Sequence, residues 1–112
     1  MLTLQNFKSS LLKYADKRRA GDLARFFQTH PGGYGEGDIF LGVKVPDQRS
    51  VAKQFYKDLG LDEISLLLNE NIHEHRLTAV FMLVLKYEKA ETEEEKQSVV
   101  DCYLKNISGV NN

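Results

Sequence analysis

The chain has 112 residues, with 15 Lys and Arg against 16 Asp and Glu, so its formal net charge is −1. This length suits one domain, and the near-neutral charge excludes a uniformly basic nucleic-acid coat while leaving room for a locally basic face. A single cysteine, Cys102, excludes an internal disulfide framework and any multi-cysteine zinc site. The longest apolar run, Ala79 to Leu85, is too short to span a bilayer, and no secretory signal is visible. We therefore expect a cytoplasmic protein that does not enter a membrane.

One long glycine-rich loop, residues 31–46, divides the chain, because it holds five of the eight glycines and both prolines. Before it, apolar residues at helical spacing from Leu4 to Ala15 predict a first helix, with Lys17 to Arg19 near its C-terminal end, where cations complement the helix dipole. A second helix carries the stripe Ala20, Leu23, Ala24 and Phe27, and Phe26 is expected to pack on a neighbouring helix. The loop is either a flexible excursion or a binding loop, and its second half, from Ile39 to Val45, is expected to be tucked in.

Four more helices are predicted after the loop. The third opens at Pro46 or Asp47 and ends at Gly60, and Asp62 caps the fourth. The fifth, His73 to Lys89, is the most apolar and should be the central buried helix, most deeply around Leu77 to Leu85. The pair Thr92 and Glu95 forms a capping box that begins the sixth, which Ser108-Gly109 ends. Residues expected to face inward are Val51, Ala52, Phe55, Tyr56 and Leu59 on the third helix and Ile64, Leu67 and Leu68 on the fourth.

The predicted fold class is all-α: about six helices and no sheet, stacked as antiparallel pairs in a HEAT-like α-solenoid. On the third helix Arg49, Lys53 and Lys57 recur every four residues and form a basic ridge, which is either a solvated face or a binding surface. His73 and His75 are two residues apart and do not share a helical face, so no pair of metal ligands is expected. Glu74 between them is expected to face a different direction again. Cys102 is expected to be a buried apolar residue.

The segment GYGEGDIFLGVKVPDQR, from Gly33 to Arg49, resembles the DNA alkylation repair family of HEAT-like-repeat DNA glycosylases. The stretches RFFQTHPGG, NIHEHRLTAVFMLVLKY and YLKNISGVNN are similar to that family too, so the resemblance covers Leu4 to Asn112. It implies stacked helix pairs that form a positively charged groove for double-stranded DNA with alkylated bases. It also implies release of those bases by hydrolysis of the N-glycosidic bond, with no metal or organic cofactor.

The resemblance also assigns site residues. The DNA-facing turn of the family matches Leu41 to Pro46, so Lys44, Val45, Pro46 and Arg49 are expected DNA contacts, and Lys53 and Lys57 extend them along the basic ridge. Phe26 matches a position where some members carry a tyrosine that lines the lesion pocket.

The catalytic aspartate of the family lies in a Trp-Asp-x-x-Asp stretch that follows the matching Asn111-Asn112 pair, and hence beyond Asn112. The resemblance therefore identifies residues 1–112 as the N-terminal part of the repair domain, without catalysis by this chain alone. Apolar residues such as Val99, Tyr103 or Ile107 are expected to be exposed, and self-association through the last two helices is therefore predicted. The alternatives are a non-catalytic HEAT-like DNA-binding module and a protein-interaction scaffold.

Overall fold

The structure is a computed structural model that describes residues 2–107. Within those residues the fold is all-α, with no strand and one isolated bridge between Ile39 and Ile72. The helices are α1 Leu4–Leu12, α2 Lys17–Phe26, α3 Val45–Phe55, α4 Leu61–Leu68, α5 His73–Lys89 and α6 Glu93–Lys105. The predicted all-α class, the number of helices and the absence of a sheet are confirmed for these residues. In the part of the chain that the structure describes, no helix has the length and apolar character that crossing a membrane requires.

The core forms around α5, which packs extensively against α3, α4 and α6, while α1 packs on α3. Every residue expected to face inward on α3, α4 and the turn after α3 is buried. An edge-to-face contact between Phe7 and Phe55, with ring centroids 5.6 Å apart, attaches α1 to this core. The spacing of apolar side chains alone was sufficient to locate these faces, because their burial supplies most of the stabilising free energy.

The buried face of α5 differs from the predicted one. Val84 is half exposed, whereas the buried positions begin at the polar end of the helix. The buried residues of α5 are Glu74, His75, Arg76, Thr78, Ala79, Met82 and Leu83. A polar side chain can be buried where it has hydrogen-bond partners, and all of these polar groups have partners from the loop, from α3 or from the end of α4. An apolar pattern cannot reveal such partners.

The boundary between the first two helices was predicted wrongly. α1 ends at Leu12, and Tyr14 is exposed. Asp16 is the N-cap of α2, and its carboxylate accepts a hydrogen bond from the Arg19 backbone nitrogen at 3.1 Å. The cations Lys17 to Arg19 therefore occupy the first turn of α2, where they oppose the helix dipole instead of complementing it.

Other helix ends agree with the prediction only in part. α3 begins at Val45, and Gly60 is the N-cap of α4 instead of the end of α3. Asp62 consequently lies in the first turn of α4 instead of capping it. The predicted start of α6 is confirmed, since Thr92 accepts a hydrogen bond from the Glu95 nitrogen at 3.1 Å. The expected helix end at Ser108-Gly109 lies outside the described residues.

We predict that Phe7→Ala lowers the free energy of unfolding by about 3–5 kcal/mol, because it removes a fully buried ring and leaves a cavity beside Phe55. Urea denaturation measures this change. Leu12→Ala, at an exposed position of the same helix, is the control and should change stability by no more than about 0.5 kcal/mol. Equal effects of the two substitutions would contradict the packing described for α1.

Candidate nucleic-acid interface

A buried carboxylate holds the turn that precedes α3. The backbone nitrogens of Leu41 and Gly42 each donate to the Glu74 carboxylate at 2.9 Å, and that of Val43 donates at 3.3 Å. The Glu74 side chain is only 1% exposed. Hydrogen bonds to an ionised acceptor are stronger than neutral ones, so these three fix the backbone of residues 41–43 on α5. We call residues 41–43 the anchored turn.

Two further buried side chains support the anchored turn from α3 and α5. The side-chain amide of Gln48 donates to the Val43 carbonyl oxygen at 3.0 Å. The Thr78 hydroxyl in turn donates to the side-chain oxygen (Oε1) of Gln48 at 3.1 Å. Because both side chains are buried and paired, the turn is held by its carbonyl side as well as by its N–H groups.

The anchored turn also determines where α2 begins. The Leu41 carbonyl oxygen accepts a hydrogen bond from the Asp16 nitrogen at 2.9 Å. Gly42 has a φ of +84°, and a Cβ atom there would lie 2.9 Å from the Ala20 nitrogen and closer still to the Asp16 carbonyl oxygen. Only glycine permits this backbone-to-backbone contact at this φ. The first turn of α2 is therefore fixed to the anchored turn.

Two residues predicted as site residues, Lys44 and Phe26, lie around one depression of about 450 Å³. We call it the α2 depression. Its lining residues are Asp16, Arg18, Arg19, Asp22, Leu23, Phe26 and Lys44. Arg18 and Arg19 were not predicted as site residues, because they were expected at the C-terminal end of α1.

Phe26 does not pack on a neighbouring helix, so that expectation was wrong. Its side chain is 77% exposed and contacts Phe27 edge to face, at a centroid distance of 5.0 Å. The physical reason is that α2 lies at the periphery, and none of its ten residues, all of them described, is buried. A large exposed aromatic ring beside several cations is available to a planar ligand.

Cations in the first turn of a helix are unfavourable unless an anion compensates them. The N-cap Asp16 is the one acidic residue at this end of α2, whereas three cations, Lys17, Arg18 and Arg19, are exposed in the first turn. The unpaired backbone N–H groups of a helix N-terminus also attract anions. Together with Lys44, these groups give the rim of the α2 depression a positive character that suits phosphate.

The structure places the basic ridge elsewhere. Arg49, Lys53 and Lys57 are exposed, as predicted, but none of them lines the α2 depression. Arg49 lies over the Phe81 ring at 4.2 Å from its centroid, and Arg49 and Lys53 line a groove between α3 and α5 of about 440 Å³. Val45 and Pro46 are exposed at the start of α3, and in the sequence they lie between Lys44 of the α2 depression and Arg49 of the α3–α5 groove.

An aromatic and ionic cluster holds the glycine-rich loop behind the α2 depression. His73 lies 4.8 Å from Phe40 and 6.4 Å from Phe27 between ring centroids. Arg76 binds the Asp38 carboxylate at 2.8 Å, and both side chains are largely buried. The expected tucking of the second half of the loop is thus correct at Phe40 and Val43, although Ile39 and Val45 are largely exposed.

The histidines face different partners. Burial lowers the pKa of His73, and the nearby carboxylates of Glu74 and Asp38 offset this only in part. Burial also lowers the pKa of His75, whose Nδ1 lies 3.0 Å from Glu70. Among the described residues, no group of three or more His, Cys, Asp or Glu side chains is arranged to hold a metal ion. Cys102 is buried, as predicted.

A family model described as DNA alkylation repair enzyme matches residues 7–112 of the chain. In the comparisons with curated proteins and with solved structures, nothing matches significantly.

We predict that Gly42→Ala destabilises the fold far more than Gly37→Ala. Both glycines have a φ of +84°, so each substitution incurs about 1–2 kcal/mol of backbone strain. A Cβ at Gly37 has no neighbour within 4 Å, whereas a Cβ at Gly42 must displace the start of α2. The Gly42 variant should therefore lose about 1–3 kcal/mol more, measured by urea denaturation. Equal losses would show that the anchored turn does not constrain α2.

Proposed function

Because the chain belongs to the DNA alkylation repair enzyme family, we propose that it binds double-stranded DNA containing alkylated bases and serves their removal by hydrolysis of the N-glycosidic bond. The observation that supports this most directly is the α2 depression, where exposed Phe26 and Lys44 adjoin the cationic first turn of α2. The anchored turn holds these groups together. In this proposal the six helices form the first stacked pairs of a HEAT-like array.

The cations of the depression bind phosphate in this proposal. Lys44, Arg18 and Arg19 surround the depression, and the N–H groups at the start of α2 add hydrogen-bond donors. Of the two carboxylates present, Asp16 caps α2 and Asp22 pairs with Arg25, so both are already engaged. Such contacts position a duplex without reading its sequence. Arg49 and Lys53 on α3, and Lys57 in the turn after it, supply further phosphate contacts.

Phe26 recognises the lesion in this proposal. An N3- or N7-alkylated purine carries a positive charge, and the face of an aromatic ring attracts a cation. The ring has no hydroxyl group, so it contributes stacking and cation–π attraction without a hydrogen bond. An exposed aromatic ring beside phosphate-binding cations suits a base displaced from the duplex.

The hydrolytic step requires an anion near the sugar, because the transition state resembles an oxocarbenium ion. The family resemblance places that aspartate after the Asn111-Asn112 pair, and no catalytic residue is assigned within residues 1–112. Under this proposal the 112-residue chain binds alkylated DNA and does not release the base. Base release measured with the purified chain tests this directly, and detectable release would contradict the placement of the aspartate.

We predict that binding to an unmodified duplex weakens steeply with salt. The six cations proposed as phosphate contacts give a slope of roughly −5 in log K against log salt concentration. Replacing Lys44 and Arg49 together by Gln should reduce the magnitude of the slope by about two units. Fluorescence anisotropy across a series of salt concentrations measures this.

The matched control replaces Lys96 and Lys105 by Gln, since both lie on α6 and neither lines the α2 depression or the α3–α5 groove. This variant loses the same charge and should keep the original slope within about half a unit. An equal reduction in both variants would mean that net charge alone controls binding, and would contradict the proposed interface.

We predict that Phe26→Leu reduces the preference for a duplex containing N7-methylguanine over the unmodified duplex by about fivefold, because leucine fills similar space without a π face. Competition anisotropy with the two duplexes measures this preference. Binding to unmodified DNA should remain unchanged within about twofold, as expected for phosphate contacts that do not involve Phe26. An unchanged preference would remove Phe26 from the lesion pocket.

Protein interaction is a second candidate function, supported by exposed apolar side chains on the last helices. Leu66 of α4, Leu104 of α6 and Ile107 are each between 48% and 63% exposed. Val99, one of the residues expected to be exposed, is buried, and Tyr103 is only partly exposed.

We predict that the chain self-associates and that the double substitution Leu104→Glu and Ile107→Glu abolishes this association, as measured by sedimentation equilibrium. A wild-type monomer at high concentration would contradict this candidate.

A further inference from the structure

Glu74 lies beneath the proposed DNA surface, and its carboxylate binds the backbone of the anchored turn instead of a side chain. Its three hydrogen-bond donors are the N–H groups of Leu41, Gly42 and Val43. Among the ion pairs of the described residues, none includes Glu74, although Asp38 and Glu70 on neighbouring segments do pair with cations. The Glu74 carboxylate therefore stabilises the backbone of the anchored turn.

The segment held in this way carries two parts of the candidate interface. Lys44 follows Val43 directly and is the N-cap residue of α3. On the other side, the Leu41 carbonyl oxygen accepts the Asp16 N–H, and the Gly42 backbone touches the first turn of α2. Glu74→Gln replaces one of the two accepting oxygens by an NH2 donor, so at least one of the three N–H groups faces a donor in a buried site, which the turn can relieve only by moving. Lys44 and the start of α2 would then move as well.

We propose that Glu74 is a positioning residue for DNA binding, which holds Lys44 and the cationic first turn of α2 in one arrangement through the anchored turn. This inference rests on the proposed function, since it assumes that the α2 depression receives the phosphate backbone. Glu74 itself does not contact the DNA. Gln48 binds the Val43 carbonyl oxygen of the same turn, and Thr78 binds Gln48. We expect their substitution to disturb the turn less than that of Glu74.

The test is a double-mutant cycle between Glu74 and Lys44, read as the salt dependence of binding to an unmodified duplex. Lys44→Gln alone should reduce the magnitude of the slope by about 0.9, the value of one phosphate contact. Glu74→Gln alone should reduce it by at least as much, because neither Lys44 nor the first turn of α2 is then held at its phosphate. The double variant should equal Glu74→Gln alone, since Lys44 makes no contact once Glu74 is replaced.

A purely structural role for Glu74 gives a different result. If Glu74→Gln only lowered overall stability, the folded fraction would bind with Lys44 in place, so Glu74→Gln alone would leave the slope unaltered and the double variant would lose only the value of Lys44→Gln, about 0.9. That outcome overturns the proposal. Glu94→Gln is the matched control, because Glu94 is an exposed residue of α6 with the same charge change, and it should leave the slope unaltered.

Amide hydrogen exchange separates failure of this inference from failure of the proposed function. In Glu74→Gln, the amides of residues 41–43 should exchange at least tenfold faster, while those of Leu67 and Leu68 in the core keep their rates. Equal acceleration in both places overturns the positioning role. If the wild-type chain binds no DNA, the proposed function is contradicted. The role of Glu74 in DNA binding is then contradicted too, even if the exchange experiment shows that Glu74 holds the anchored turn.

A milder variant keeps the test usable if Glu74→Gln does not fold. Thr78→Val removes the hydroxyl that donates to Gln48 and nearly preserves the volume of the side chain. It should accelerate exchange at Val43 by about threefold and weaken DNA binding in the same direction as Glu74→Gln. Unchanged exchange at Val43 together with unchanged binding would contradict the relay through Gln48.

Discussion

The candidate interface depends on one buried carboxylate and the backbone that it binds. Glu74 accepts three N–H groups from the turn between the glycine-rich loop and α3. A buried charge is tolerated only where its hydrogen-bonding capacity is satisfied, so turn and carboxylate require each other. The position of Lys44, the close approach at Gly42 and the start of α2 all follow from that requirement. Peripheral α2, which has little core of its own, is fixed mainly in this way.

The apolar pattern predicted the helices whose stability comes from burial. The bounds of α5 and the inward faces of α3 and α4 were correct, because leucine, isoleucine and phenylalanine at helical spacing leave few other arrangements. The boundary between α1 and α2 was wrong, since the cations from Lys17 to Arg19 favour the end of a helix on electrostatic grounds. Their presence at the start of α2 is a local conflict of the kind that functional surfaces retain.

Glu74 could not be identified from the sequence, because its partners lie 31 to 33 residues away and are backbone groups that every residue has. The available signal was a glutamate at the start of an apolar helix together with a glycine near a turn, and both are common. Phe26 was singled out by resemblance, and its place in a lesion pocket stays a prediction; the exposure of its side chain was not foreseen. Lys44 and Phe26 lie at one depression, whereas Arg49 and Lys53 lie on α3 and Lys57 lies in the turn after it. A ligand that contacts all of them must be long, as a duplex is.

The central claim is that the surface organised by Glu74 receives DNA. Nuclear magnetic resonance of the isotopically labelled chain, titrated with a short unmodified duplex at low salt, tests it most directly. The account predicts that the largest shift changes fall on the first turn of α2, on Phe26 and on residues 41–49, with small changes on α6. Changes concentrated on α4 and α6 instead, with the α2 depression unaffected, would contradict it.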